Sequence, residues 1–430
     1  MSIFKLCLGL TVAATLTMLS VPALTQTNSE RWRALEELIA QQQERIEAQE
    51  ELLDRMSREL SAIASQPAPE PIEIPQDLVR ARGANVTASF YGQVNRALLF
   101  YDDGAQTDVR HVDNDGSSTR IGFKGSAKAS NDIRIGTAIE VQFESNSTGD
   151  VDQLDNTATI GSNSFTERKL EVFIDSKALG KLSLGQGSTA SDDSSHADLS
   201  GTDLVACSCV SDPAGGLGFV LSGARLPVDA DANGNPDVRI KDAFDNLDGL
   251  SRDDRVRYDS PSLAGFKLHT SVIDGGEWDI TASYGGAFGA TEIEGKVGFA
   301  NASGTQTFPE RRVSASISAL HSSGFNLTLA AGAGDEDESG REEVSFRYGK
   351  LGYRTEALAI GSSSFSIDYG EYADADVVGD EAGTLGFGLV QKVSDWGTEF
   401  YASYRRYDLD RPGTDFDDID IALTGARIKF

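Results

Sequence analysis

Beyond its first two dozen residues, this 430-residue chain has no apolar run approaching the ~18–20 residues that a membrane-spanning helix needs. Basic side chains are scarce, with 38 Lys and Arg against 67 Asp and Glu and a net charge of −29. That balance excludes nucleic-acid binding through bulk charge, because neutralising phosphates takes a basic surface. Three cysteines make no disulfide framework, and four histidines leave little for a His-rich metal centre. None of this excludes a membrane protein crossing by strands, since a transmembrane β-strand alternates its faces and carries about half the apolar signal.

The opening stretch, MSIFKLCLGLTVAATLTMLSVPALTQT, reads as an export signal over residues 1–23. Lys5 is the positive start, Leu6 to Leu19 the apolar region and Val21-Pro-Ala23 a small-residue cleavage site. Cys7 leaves with it, so Cys207 and Cys209 are the thiols of an exported chain and tend to oxidise. An oxidised structural pair is the preferred reading over a soft-metal site, for which two thiols are too few.

Residues 24–66 form a coiled coil on their periodicity. Trp32, Leu35, Ile39, Gln42, Ile46, Gln49, Leu53, Met56, Leu60 and Ile63 alternate by three and four, a 3.5-residue seam sustained beyond four heptads. A lone helix cannot bury such a seam, so an oligomer is expected. Gln42 and Gln49 inside it read as setters of register and oligomer state. Residues 67–83, beginning within QPAPEPIEIPQ, are a proline-rich, semi-rigid linker.

From residue 84 to 430 the period becomes two. In DIRIGTAIEVQFE, Ile133, Ile135, Thr137, Ile139, Val141 and Phe143 share one face, with Arg134, Gly136, Ala138, Glu140, Gln142 and Glu144 on the other. Sixteen such stretches are readable, many of the length that suits a tilted membrane strand. Tight breaks at Ser130-Asn131, Ala178-Leu-Gly180, Ser322-Ser323 and Ser394-Asp395 alternate with long polar connections, the longest spanning residues 188–250. That asymmetry predicts an all-β, 16-stranded antiparallel transmembrane β-barrel, with an N-terminal periplasmic α-helical coiled coil. An even strand number puts both chain ends on the periplasmic side.

Several segments resemble the Gram-negative general porins. FYGQVNRALLF is similar to their first strand, STRIGFKGS to the second, and GKLSLGQGS to the segment leading into their constriction loop. SRDDRVRYDSPSLAGFKL resembles the strand, turn and restart that follow it, and DIDIALTGARIKF the closing strand with its terminal Phe. The helix and linker look more like the trimeric porins with a periplasmic coiled coil, some of which take dicarboxylates. The resemblance implies a homotrimer in the outer membrane among lipid and lipopolysaccharide, each barrel holding a water-filled pore narrowed by its third loop. It also implies that Phe430 is an assembly signal for the barrel-assembly machinery.

The 188–250 loop carries eleven Asp, no Glu and three cations. Asp192, Asp193, Asp198 and Asp203 are its candidate constriction acids. Alternation assigns Arg120, Lys124, Arg134, Lys169, Arg255, Arg257, Lys267, Arg312, Arg347 and Arg405 to the pore wall. The faces of Arg96, Lys350 and Arg406 are ambiguous, because alternation slips by one there. An acidic loop against a basic wall predicts a channel that filters small hydrophilic solutes and ions by charge during passive diffusion. No cofactor is required; calcium is a candidate ligand of Asp229, Asp231, Asn233, Asn235 and Asp237, whose spacing starts like a calcium loop. Its twelfth position is Ile240, so closure would need Asp242 or another segment.

Two other classes compete. A barrel enzyme would need a nucleophile beside a positioned His, yet His111, His196, His269 and His321 are scattered, and His269 reads as a solvated wall residue. The reading is therefore not an enzyme. A structural barrel tethered through its coiled coil to peptidoglycan is the other alternative.

Overall fold

The computed structural model describes residues 86–154, 165–302, 309–335 and 343–430. The signal segment, the coiled-coil seam from Trp32 to Ile63 and the proline linker lie outside the described residues.

The first strands are β1 (Val86–Asp102), β2 (Thr107–Val112), β3 (Arg120–Lys128), β4 (Ile133–Phe143), β5 (Phe165–Ser176) and β6 (Gly180–Ser188). After the long loop come β7 (Arg252–Asp259), β8 (Phe266–Ile273), β9 (Trp278–Phe288), β10 (Thr291–Asn301), β11 (Arg311–His321) and β12 (Phe325–Asp335). The chain ends with β13 (Val344–Leu358), β14 (Gly361–Ala373), β15 (Glu381–Val393), β16 (Thr398–Asp410) and β17 (Ile419–Lys429). Neighbours pair antiparallel all the way round, and Gln93–Asp102 of β1 closes on Lys429–Asp420 of β17. The edge that lipid would leave unsatisfied is thereby removed.

Seventeen segments fill sixteen barrel positions. β1 pairs with β3 over Val86–Gln93 and with β2 over Ala97–Asp102, so β2 and β3 are two halves of one strand position. Residues 113–119 leave the wall between them. The sequence reading located the other sixteen segments to within a few residues and missed β2, whose six residues TDVRHV are mostly exposed and show no apolar alternation.

At the short turns the backbone passes too close for a side chain. A Cβ on Gly324 (φ 97°) would sit 2.1 Å from the Arg354 carbonyl oxygen. The outer wall is apolar: Phe90, Ile139, Leu170, Leu184, Val256, Val297, Leu329, Leu351, Phe387 and Phe400 are all exposed there. Aromatic pairs Phe90–Phe430, Phe266–Tyr284 and Phe325–Tyr353 mark the short-turn rim, as an interfacial girdle would. No helix among the described residues is long and apolar enough to cross a membrane, which bears only on helical spans.

At the closing seam, Phe430 and Gly92 exchange both backbone hydrogen bonds at 3.0 Å, and the Phe430 ring stacks on Phe90. Ile419, Ile421 and Leu423 point inward and are buried, while Ile428 and Phe430 point outward. The Tyr401 hydroxyl donates to Asn95 Oδ1 at 2.6 Å, passing over Gly425, where a Cβ would lie 2.5 Å from the Tyr401 hydroxyl oxygen.

Candidate functional site

The site is the loop folded inside the barrel. A buried irregular segment needs partners for its backbone groups, and the inward polar residues of the wall supply them. Asp279 accepts from Ser191 N–H (2.8 Å), Ser316 Oγ from Ala197 N–H (2.8 Å) and Ser318 Oγ from Leu199 N–H (2.9 Å). Three alternate carbonyls are then held by donors from three strands. Lys350 Nζ reaches Ala206 O (2.6 Å), Tyr372 Oη reaches Ser208 O (3.0 Å) and Tyr407 Oη reaches Val210 O (2.7 Å). Loop residues Leu204, Leu217, Phe219, Phe244 and Leu247 pack with wall residues Tyr101, Phe346 and Ile421 as an apolar core inside the barrel. One short helix, α1 (Ile240–Ala243), interrupts the loop.

The acidic candidates separate into distinct roles. Asp198 is buried and pairs with Lys350; burial pushes its carboxyl up, but Lys350 outweighs this and holds it below the usual range. Asp192 is buried within 3.5 Å of Arg252, and burial together with Asp193 pushes it up to about 6. Asp193 stands at the start of the loop, beside its returning end at Asp248, with φ 68° and a side chain 51% exposed. Confinement raises its carboxyl, yet the charges of His196, Lys296, Arg252 and Arg168 outweigh that and keep it ionised. Asp203 is exposed, with no hydrogen bond or ion pair among the described residues.

The basic candidates are less uniform than alternation suggests. Arg120, Lys124 and Lys169 face inward on β3 and β5, with Lys124 Nζ 4.9 Å above the Tyr91 ring. Arg134 and Lys267 also face inward, but near the short-turn ends of β4 and β8. Arg257 faces inward and is shared between Asp259 (2.8 Å) and the Ser188 carbonyl (3.2 Å). Three assignments need correction because the side chains are covered struts, not open wall. Arg255 is spent on Glu171 (2.5 Å) and Ser188 O (3.0 Å), Arg312 on Gly249 O (3.0 Å), and Arg405 on Asp368 (2.7 Å). Arg347 is a fourth correction. It lies on the outer face with Leu351 and Tyr353, opposite Glu371, because Val344, Phe346, Tyr348 and Lys350 take the inward positions of β13.

Four cations around the loop lie outside the pore-wall set that alternation assigned, Lys350 having been left ambiguous. Lys350 is the fully buried loop anchor. Arg168 enters the lumen at a bulge where Glu140/Val141 oppose Lys169/Glu167, so consecutive residues face the same way; it donates to Glu140 (2.8 Å) and Gln142 (2.7 Å). Lys296 and Arg252 complete the set acting on Asp193.

The candidate calcium residues are brought together, with carboxylates of Asp229, Asp231 and Asp237 within 4.8 Å of one another. Those carboxylates also cap the loop's own amides, Asp229 accepting from Asn233 and Gly234 N–H and Asp237 from Ala230 N–H, all at 3.0 Å; Asn233 Oδ1 accepts from Asn235 N–H. Ile240 is buried in α1 and Asp242 is engaged by Arg239 (2.8 Å), so neither closes the ring of ligands. Cys207 and Cys209 form a disulfide. His196 Nε2 lies 3.8 Å from Cys209 Sγ.

The family model described as Gram-negative porin matches residues 76–412. No curated protein sequence matches the chain. Among solved structures, an anion-selective porin from Comamonas acidovorans is 14% identical, with 80% of this chain and 100% of that chain covered at a TM-score of 0.53. A loop L8 deletion mutant of OmpT, an outer membrane protein of Vibrio cholerae, is 13% identical, with the same coverage and a TM-score of 0.52. At those identities the likeness is one of fold.

Proposed function

The chain belongs to the Gram-negative porin family, and on that footing we propose that the acidic loop inside its barrel filters solutes by charge. Family and fold support an outer-membrane porin channel. The single observation that carries the selectivity reading is Asp193, an exposed carboxylate near the start of the loop on which Arg168, Arg252 and Lys296 act from the wall. Opposite charges across a water-filled gap create a transverse field that orients dipolar solutes and weights permeation by charge.

Reversal potential under a salt gradient in planar bilayers tests this. Asp193→Asn is expected to shift selectivity toward anions, and Arg168→Gln with Lys296→Met toward cations. Arg347→Gln, on the outer face, serves as a control and leaves it unchanged. Identical reversal potentials in all variants would sink the filter while leaving the pore intact.

In this reading the chain works as a homotrimer, with residues 24–66 as a periplasmic coiled coil. Deleting residues 27–75 discriminates its roles: loss of trimers marks assembly, loss of envelope attachment with intact conductance marks a peptidoglycan tether. Calcium at Asp229, Asp231 and Asp237 is a further part of the proposal, supported by their convergence.

A further inference from the structure

Three adjacent strands place an acid, an imidazole and a hydroxyl in one hydrogen-bonded line on the lumen wall. Asp259 ends β7, His269 is its direct register partner on β8, and Ser283 stands on β9 opposite Lys267. His269 Nδ1 lies 2.5 Å from Asp259 Oδ1, and His269 Nε2 lies 2.9 Å from Ser283 Oγ. A carboxylate only accepts, so the Nδ1 proton belongs to this contact. Nε2 is then the acceptor for the Ser283 proton. That is the order of contacts in which a serine hydroxyl becomes a nucleophile.

We propose that Ser283, His269 and Asp259 form an acyl-transfer site on the pore wall, acting on small carboxylic esters that enter the channel. The three side chains are partly exposed, so a solute in the lumen can reach the hydroxyl. Ser283 Oγ attacks the ester carbonyl while His269 Nε2 takes its proton. The tetrahedral intermediate collapses, the same proton passes to the departing alcohol, and an acyl-serine remains. Water, deprotonated by His269, then releases the acid and restores the hydroxyl. No oxidant, reductant or metal enters the balance.

Two further residues shape the site. Lys267 faces inward in register with Ser283 and has no ion-pair partner among the described residues. Opposed residues of an antiparallel pair have their Cβ atoms about 4.5–5.5 Å apart, which lets its ammonium reach the oxyanion. Arg257 holds Asp259 through Nε at 2.9 Å, fixing the carboxylate but sharing its charge. Sharing weakens support for the imidazolium, so slow turnover is expected and covalent labelling is the sharper readout.

The test uses the purified full chain in detergent with a fluorophosphonate probe and p-nitrophenyl acetate, and it does not depend on conduction. Ser283 is expected to carry the label. His269→Gln should slow labelling by on the order of 10²–10⁴, and Lys267→Met should slow ester turnover. Heat-modifiable gel mobility checks that each variant is folded, and the wild-type labelling site needs no variant at all. Label elsewhere but not on Ser283, equal labelling in folded His269→Gln, or unchanged ester hydrolysis in Ser283→Ala would each overturn the assignment.

Discussion

Lys350 and Asp198 form an ion pair with side chains 0% and 4% exposed, joining the middle of β13 to the pore loop. The same ammonium donates to Ala206 O, so one charge pins two loop segments. Lys350→Met would leave Asp198 buried without its partner, a change that typically destabilises by about 3–5 kcal/mol. The loss is confined to loop docking, because the strand ladders are untouched. Limited proteolysis should nick the loop between residues 188 and 250 while the barrel stays resistant, and single-channel conductance should become noisier. A loop as protected as wild type would count against the anchor.

A second prediction concerns pH. Asp115 lies beneath the loop that follows β4, accepting from Ser147 Oγ (2.7 Å) and Gly149 N–H (2.9 Å). Burial pushes its carboxyl up to about 7, with Asp212 adding to it; burial and then Asp115 push Glu144 up to about 8. Both values lie above the ~4 of exposed carboxyls, so the folded arrangement favours the protonated acids. Their contribution is complete below about pH 4 and fades as pH rises through 7–8. The protection factor of the Gly149 amide, with the intrinsic pH dependence of exchange divided out, should therefore fall by about tenfold or more between pH 6 and pH 9, and Glu144→Gln should flatten that dependence. Equal protection at both pH values would refute it.

Removing Phe430 deletes both hydrogen bonds with Gly92 and the stack on Phe90. Membrane-assembled protein, scored by heat-modifiable mobility, should fall several-fold. Phe430→Ala keeps the backbone bonds and loses only the ring, so it separates strand closure from recognition of the aromatic end. Normal assembly of the truncated chain would remove the assembly role.

For the Asp229 loop, calorimetry should detect calcium with a Kd on the order of 10⁻⁴–10⁻³ M, the weak class expected of an incomplete ligand set. Asp229→Asn should abolish it, and a flat wild-type titration would retire the site.

Strand positions were legible in the sequence because a transmembrane strand repeats its alternation over ten or more residues, and DIRIGTAIEVQFE appears as β4 within one residue at either end. Facing was less legible. Arg96 and Arg406 point outward toward Asp113 and Asp418, whereas Lys350 points inward, and only register with neighbouring strands decides this. Arg168 was invisible because a bulge breaks the period-two rule that assigns its neighbour Lys169. His269 read as a solvated wall residue because its partners, Asp259 and Ser283, are ten and fourteen residues away and meet it only through strand pairing. The inward Ile419, Ile421 and Leu423 confused the reading of β17, since the loop fills that end of the barrel with an apolar core.

A strand with apolar residues on both sides has a weak memory for its own register. In a half-buried sheet, slipping by one residue turns the hydrophobic set toward water and is rejected on that ground. Along the first half of β17 such a slip would largely exchange one apolar side for another, whereas further on it would turn Arg427 and Lys429 away from Glu399. Discrimination there rests on Tyr401 crossing Gly425 to reach Asn95, together with the Glu399 pairs further along. Shifted by one, the ring would meet a side chain where the glycine now lies, and the buried amide would lose its donor. The barrel's last joint is thus proofread by shape, one buried hydrogen bond and a charged cluster on Glu399, and Gly425→Val is a substitution that favours closing the ring in the wrong frame.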